Sequence, residues 1–135
     1  MTPAEMAALH ARAFPADRGW SAREFDGFLG DRLCFVTTRP HAFALVRAVA
    51  DEAELLTICT DPEHRRTGLG RAVLVEAIRE AATRGARHMF LEVEAENTAA
   101  IALYDRLDFS ESGRRRDYYG RGRHAVMMAR DLPLG

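Results

Sequence analysis

The sequence predicts a single α/β domain with a mixed sheet, in the element order ααβββαβαββ. Three observations predict it. Three β-type runs follow one another between residues 33 and 60 across short breaks, and after residue 69 helical and extended segments alternate. A chain of 135 residues that is 47% hydrophobic can build one real core, with little room for a second domain over residues 1–135. Wholesale disorder is excluded by the same composition.

Ala4 to Ala13 is rich in helix formers and is stopped by Pro15. Ser21-Ala22-Arg23-Glu24 is a capping-box pattern that opens a second helix with the apolar face Phe25, Phe28 and Leu29. Trp20, directly before that cap, either staples the helix to its neighbour or forms the wall of a substrate groove. Leu33 to Val36, His41 to Ala50 and Glu54 to Thr60 read as strands of an antiparallel meander, broken at Arg39-Pro40 and Asp51-Glu52. Leu69 to Arg84 is a helix, with Leu74, Ile78 and Ala81 on one face and Gly85 as its C-terminal stop. A strand from Arg87 to Glu94 follows, then a helix from Thr98 to Leu107 behind Asn97 as N-cap. Strands over Phe109 to Asp117 and His124 to Arg130 complete the chain.

Charge narrows the partners. Nineteen cations stand against 20 acids, so no global field draws the protein to nucleic acid or to a membrane surface. Every cation is an arginine; without lysine there is no phosphate-loop lysine and no Schiff base. Cys34 and Cys59 are too few and too far apart for a disulfide framework or a four-ligand zinc site, and no metal is expected. No apolar stretch approaches the ~18 residues of a membrane span. The first residues lack the basic and apolar regions of a signal peptide, so the expected compartment is a reducing cytoplasm.

The most informative segment runs from Ile58 through Cys59 and Thr60, past Pro62, to Arg65-Arg66-Thr67-Gly68-Leu69-Gly70-Arg71. Glycines where a helix begins let backbone approach a ligand closely, and the amides of the first turn point outward unpaired. With the helix dipole they form an anion site suited to a pyrophosphate. Arg65, Arg66 and Arg71 crowd the positive end of that dipole, a poor placement unless an anion arrives; solvated surface arginines are the plainer alternative. A dinucleotide fingerprint needs a third glycine where Val73 stands and a tighter turn, although Glu92 follows at a suitable distance.

Alternation along the strand up to Glu94 puts Met89, Leu91 and Val93 on one face and Phe90, Glu92 and Glu94 on the other. Carboxylates near the end of a central strand face either solvent or a cleft, and ligand clefts lie beyond such strand ends.

Arg65-x-x-Gly68-x-Gly70 resembles the acyl-coenzyme A loop of the GNAT acetyltransferase superfamily. Leu91-Glu92-Val93, Asn97 through Tyr104, Phe109, Arg115 through Tyr119, and Ala13-Phe14-Pro15 with Trp20-Ser21 are similar to its RimI-like branch of ribosomal-protein alanine N-acetyltransferases. The resemblance spans nearly the whole chain. It implies a GNAT-like α/β (α+β) fold with a central, mostly antiparallel twisted sheet flanked by helices. It also implies acetyl-CoA as donor, coenzyme A as product, and a protein N-terminus, of a ribosomal protein in that branch, as acceptor. Under it the backbone of Ile58, Cys59 and Thr60 pairs with the pantetheine arm, and Arg65, Arg66, Thr67, Gly68, Leu69, Gly70 and Arg71 hold the pyrophosphate. Asn97, which also suits a helix cap, lies near the cofactor. Acyl transfer to an amine needs a base to take the ammonium proton and an acid to protonate the leaving thiolate. The resemblance assigns these roles to Glu92 and Tyr104, and places Trp20, Glu94, Tyr118 and Tyr119 at the acceptor. With Cys59 contributing backbone, direct attack in a ternary complex is expected.

Three departures from the family pattern stand out. Asp108 occupies a usual glycine position, the hairpin after Tyr119 is short, and His124 stands where an acidic residue is common. The last two bear on the choice of acceptor, so transfer to a small molecule, polyamine or lysine side chain is the alternative. A non-catalytic coenzyme A- or nucleotide-binding module is another. The arginine–tyrosine run from Arg114 to Arg123 is read as a solvated hairpin turning at Gly120 and Gly122, with no direct nucleic-acid contact expected.

Overall fold

A computed structural model describes residues 1–133. Helices α1 (Pro3–Ala13) and α2 (Ala22–Leu29) precede strands β1 (Cys34–Arg39), β2 (Ala42–Val49) and β3 (Glu52–Thr60). A short 3-10 turn (Pro62–His64) leads to α3 (Leu69–Thr83), followed by β4 (His88–Glu94), α4 (Thr98–Arg106), β5 (Ser110–Gly120) and β6 (Arg123–Asp131). The order is the predicted one. The sheet runs β1-β2-β3-β4-β6-β5, and among its described pairs only β3–β4 is parallel. That topology excludes the dinucleotide-binding alternative, which needs several parallel strands.

Local signals explain the element ends. Ser21 and Glu24 form the expected capping box, and Thr2 with Glu5 forms a second one that opens α1. Gly85 leaves α3 at φ +98°. Asp108 follows α4 in the same left-handed region (φ +65°), and the amide of Phe109 still returns to the carbonyl of Tyr104. Aspartate therefore replaces the usual glycine without changing the turn, at a cost of about 1 kcal/mol.

Strand β2 is buried on both faces. Ala42, Ala44 and Val46 join Leu74 and Ile78 of α3 in one core; Phe43 and Leu45 join Met6, Leu9 and Phe25 of α1 and α2 in another. The first core continues under β4 and β6 through Met89, Leu91 and Val126, and takes in Tyr104 of α4. On the opposite face of that half Phe90 is exposed.

One irregularity shapes the molecule. Leu45 pairs with Thr57 and Val46 with Leu55, so Leu56 is an extra residue in β3. Such a bulge bends its strand and shifts the alternation of side chains. Leu55 before it faces the first core, and Cys59 beyond it faces the second. The parallel ladder holds only Glu52–Glu54 against His88–Phe90. Beyond those pairs β3 and β4 part.

Candidate active site

The parting of β3 and β4 opens a cleft of about 360 Å³. Leu55 to Ile58 line one wall and Leu91 to Glu94 the other, with Asn97, Ala100 and Tyr104 of α4 on the side of the first core. His10, Phe14, Trp20 and Tyr119 close the opposite end. Glu92, Glu94, Tyr104, Asn97, Ile58, Trp20 and Tyr119 are thus brought to one cavity.

Glu92 projects from β4 with its side chain 24% exposed, and its Oε1 lies 3.5 Å from Nε of Arg115 on β5. Glu54, half-buried on the neighbouring strand, has its carboxyl pushed upward by burial and by the charge of Glu92. Tyr104 is 5% exposed, and its ring meets Phe109 edge-on at 5.9 Å. Burial, with smaller contributions from Cys59 and Tyr119, raises its phenol well above the ordinary tyrosine range. Tyr104 therefore keeps its proton throughout neutral pH, as a proton donor must.

Glu94 is engaged differently. Arg123 grips both its carboxylate oxygens (Nε to Oε1 2.6 Å, Nη2 to Oε2 3.0 Å), and its Nη2 also reaches Asp17 at 3.0 Å. The same guanidinium donates to the carbonyl of Tyr119. One side chain thus ties the end of β4, the loop between α1 and α2, and the β5–β6 hairpin around the mouth of the cleft. The hydrogen bonds from Arg123 hold the Glu94 carboxyl below the usual range. A carboxyl lowered on folding stabilises the fold above its unfolded value, about pH 4.3, and that contribution fades as pH falls through the folded value. Arg123→Ala is expected to lower the unfolding midpoint at pH 7 and to flatten this acid-side dependence. Thermal melts of both chains between pH 3 and pH 7 check it, and parallel curves would refute the clamp.

Trp20 packs as the expected staple, and it also lines the cleft. Its ring stacks on His10 at 5.0 Å and tilts against Phe25 and Phe28, while it also walls the cleft. His10 accepts the Trp20 amide at Nδ1 (3.2 Å), and burial pulls its imidazole below the ordinary value, so the neutral ring serves this bond. Tyr119 lines the cavity, its phenol pushed up to about 12 by burial and by Glu92. Tyr118 stands outside, 51% exposed, edge-on to Tyr119 and beneath the guanidinium of Arg115. Asn97 accepts the amide of Ala100 at 3.2 Å, capping α4 as predicted while lining the cleft.

The glycine loop runs from the end of β3 to the start of α3. Gly68 is the N-cap of α3 at φ +81°; no side chain caps it, and no acid lies in the first turn. At Gly70 a Cβ would come within 3.4 Å of both Thr60 Oγ1 and a Leu103 methyl, so glycine brings the helix close to β3 and α4. Arg65, Arg66 and Arg71 are exposed around this positive helix end. Cys59 is 1% exposed, and burial pushes its thiol to about 12, which suits packing and not nucleophilic attack.

Sequence reasoning missed His10, Asp17, Glu54 and Arg123. Asp17 and Arg123 meet across 106 positions and Glu54 faces the charge of Glu92 on the next strand, whereas His10 meets Trp20 ten residues on across the turn between α1 and α2. The one local signal was Asp17, two residues before Gly19 in the loop after Pro15.

A cleft in a parted mixed sheet and an uncapped glycine helix start after β3 suit an acyltransferase, and residues 3–109 match the acetyltransferase (GNAT) family. The chain belongs to that family. It is 46% identical over 131 residues, covering 92% of this chain and 84% of the relative, to the [ribosomal protein bS18]-alanine N-acetyltransferase of Escherichia coli strain K12. The crystal structure of the Escherichia coli ribosomal-protein-S18-alanine N-acetyltransferase superimposes with a TM-score of 0.83 at 37% identity, covering 98% of this chain and 88% of the other. An aminoglycoside 6'-N-acetyltransferase complexed with coenzyme A shares the fold at 15% identity, with a TM-score of 0.82 over 98% of this chain and 92% of that one. Among the described residues no helix is long and apolar enough to cross a membrane.

Proposed function

We propose that residues 1–135 form one acetyltransferase domain that works in the cytoplasm. It moves the acetyl group of acetyl-CoA to a protein N-terminal α-amine, that of the alanine opening ribosomal protein bS18. The observation that carries the chemistry is the convergence of Glu92 and Tyr104 on one cleft, where β3 and β4 part. The acceptor rests on the similarity to the bS18-alanine enzyme over most of both chains.

The residues present fit the donor. Outward amides at Gly68, Leu69, Gly70 and Arg71, with Arg65, Arg66 and Thr67 beside them, suit a diphosphate; the dipole of α3 adds attraction that an acidic cap would cancel. The unpaired edge of β3 from Ile58 through Thr60 offers backbone groups to the amides of a pantetheine arm. Asn97 borders the same passage.

The acceptor enters from the open face, between Trp20, Tyr119 and the Arg123-held Glu94, with Tyr118 at the rim. Glu92 takes a proton from the ammonium, freeing the nitrogen lone pair. The nitrogen bonds to the thioester carbonyl carbon and the carbon–sulfur bond breaks. Tyr104 gives its hydroxyl proton to the departing sulfur. Glu92 releases the ammonium proton to solvent, then takes the second proton that the nitrogen sheds on becoming an amide and returns it to Tyr104. Amine and thioester become amide and thiol, with no acyl-cysteine.

A panel of peptides tests the acceptor: one with a free N-terminal alanine and the bS18 sequence, the same peptide with a blocked amine, and a blocked peptide carrying lysine. Mass spectrometry should find one acetyl group on the first alone. Transfer confined to lysine would overturn the N-terminal reading.

A further inference from the structure

Away from the cleft, where α1, the β1–β2 turn and the end of β3 meet, three ligand-type side chains converge. His41 Nδ1 lies 3.9 Å and His64 Nδ1 3.7 Å from Oδ2 of Asp61. The two imidazoles stack face to face, 3.7 Å between centroids and 6° from parallel, and both bring Nδ1 to Oδ2 of Asp61. Candidate ligand atoms of all three residues lie within 4.8 Å of one another. The carboxylate is 5% exposed, and its other oxygen is already occupied by Arg12 (2.8 Å) and the amide of Glu63 (3.0 Å). Among the described residues His64 Nδ1 is buried without a hydrogen-bond partner, an unusual state for a polar atom. The junction is rigid, because the Asp61 amide donates to the carbonyl of His41 and Asp61 caps the 3-10 turn that carries His64.

We propose that His41, His64 and Asp61 bind one divalent transition-metal ion of the zinc class. Separations of 3.7 and 3.9 Å are too long for hydrogen bonds. They are close to the roughly 3.4 Å between neighbouring ligands on a tetrahedral ion with bonds of about 2.0–2.1 Å. A nitrogen lone pair lies in its ring plane, so binding requires the stacked rings to tilt apart, which their partial exposure permits. Two imidazole nitrogens and one carboxylate oxygen form a borderline donor set that suits Zn²⁺ or Co²⁺ and not Mg²⁺ or Ca²⁺. Arg12 on the far oxygen plays the part of an outer partner, orienting Oδ2 toward the ion. The ion would pin the root of the glycine loop, since the hydroxyl of Thr67 donates to the carbonyl of His64.

Titration of the chelator-stripped full chain tests this without acetyl-CoA. Zn²⁺ calorimetry should give one equivalent, Co²⁺ should give the visible absorption of a low-coordinate nitrogen–oxygen site, and Zn²⁺ should raise the unfolding midpoint. His64→Ala and His41→Gly, the latter because φ is +71° there, should each weaken binding by about tenfold or more while circular dichroism is unchanged. Absence of a stoichiometric equivalent at millimolar Zn²⁺ overturns the proposal, as does wild-type affinity in both variants.

Discussion

Glu92→Gln should lower acetyl transfer by about 10²- to 10⁴-fold, the usual contribution of a positioned base, and leave acetyl-CoA affinity within a factor of a few. The substitution keeps the shape of the side chain and removes only its ability to take the ammonium proton. Its structural cost is small. The partner, Arg115, is 53% exposed and 3.5 Å away, and a solvent-facing pair of this kind contributes at most about 1 kcal/mol. The helix start at Gly68–Arg71, proposed above to hold the diphosphate, lies on another element and should not sense the change. Glu94→Gln is the contrast, because its carboxylate is committed to Arg123 and the cost should show in stability and acceptor KM. Single-turnover rates beside calorimetric acetyl-CoA affinity separate these outcomes. Unchanged turnover in the Glu92 variant removes it as base, and lost cofactor affinity makes it a structural residue.

Elements with a local cause were legible in advance. Ser21 and Glu24 announce their helix, Gly85 ends another, and Gly68 and Gly70 mark the helix start that the structure leaves uncapped. Alternation from Met89 to Glu94 separated the core-facing residues from the two glutamates, as the burial of Met89, Leu91 and Val93 shows. The bulge at Leu56 was hidden, because Leu55 and Leu56 are adjacent apolar residues that enter different cores, and hydropathy does not say which strand gains a residue. Yet that bulge bends β3 away from β4 and makes the cleft. The Arg123–Asp17 contact joins residues 106 positions apart, and His41 meets Asp61 only through strand pairing. Pairings of that kind carry no periodicity and wait for the fold.

Tyr104→Phe should reduce turnover by about 10²-fold or more at neutral pH, with acetyl-CoA affinity retained, because the thiolate then leaves without a proton. The ring and its contact with Phe109 survive, so stability at pH 7 should shift by no more than about 1 kcal/mol. A second readout is independent of catalysis. Burial raises the phenol of Tyr104 on folding, so the folded chain holds this proton more tightly than the unfolded one. The resulting stability is fully present below the unfolded tyrosine value, about pH 10, and is lost as pH rises through the folded value. Stability of the natural chain should therefore fall between pH 9.5 and 11 (roughly the onset of tyrosine ionisation), and the phenylalanine variant should fall less steeply. Some slope must remain, since the Tyr119 phenol and the Cys59 thiol are both pushed up to about 12. Denaturant titrations across that range decide it. Equal slopes would mean that Tyr104 is hydrated and not the desolvated donor, even if the variant is slow; a shallower slope with full activity would leave a buried tyrosine that takes no part in proton transfer.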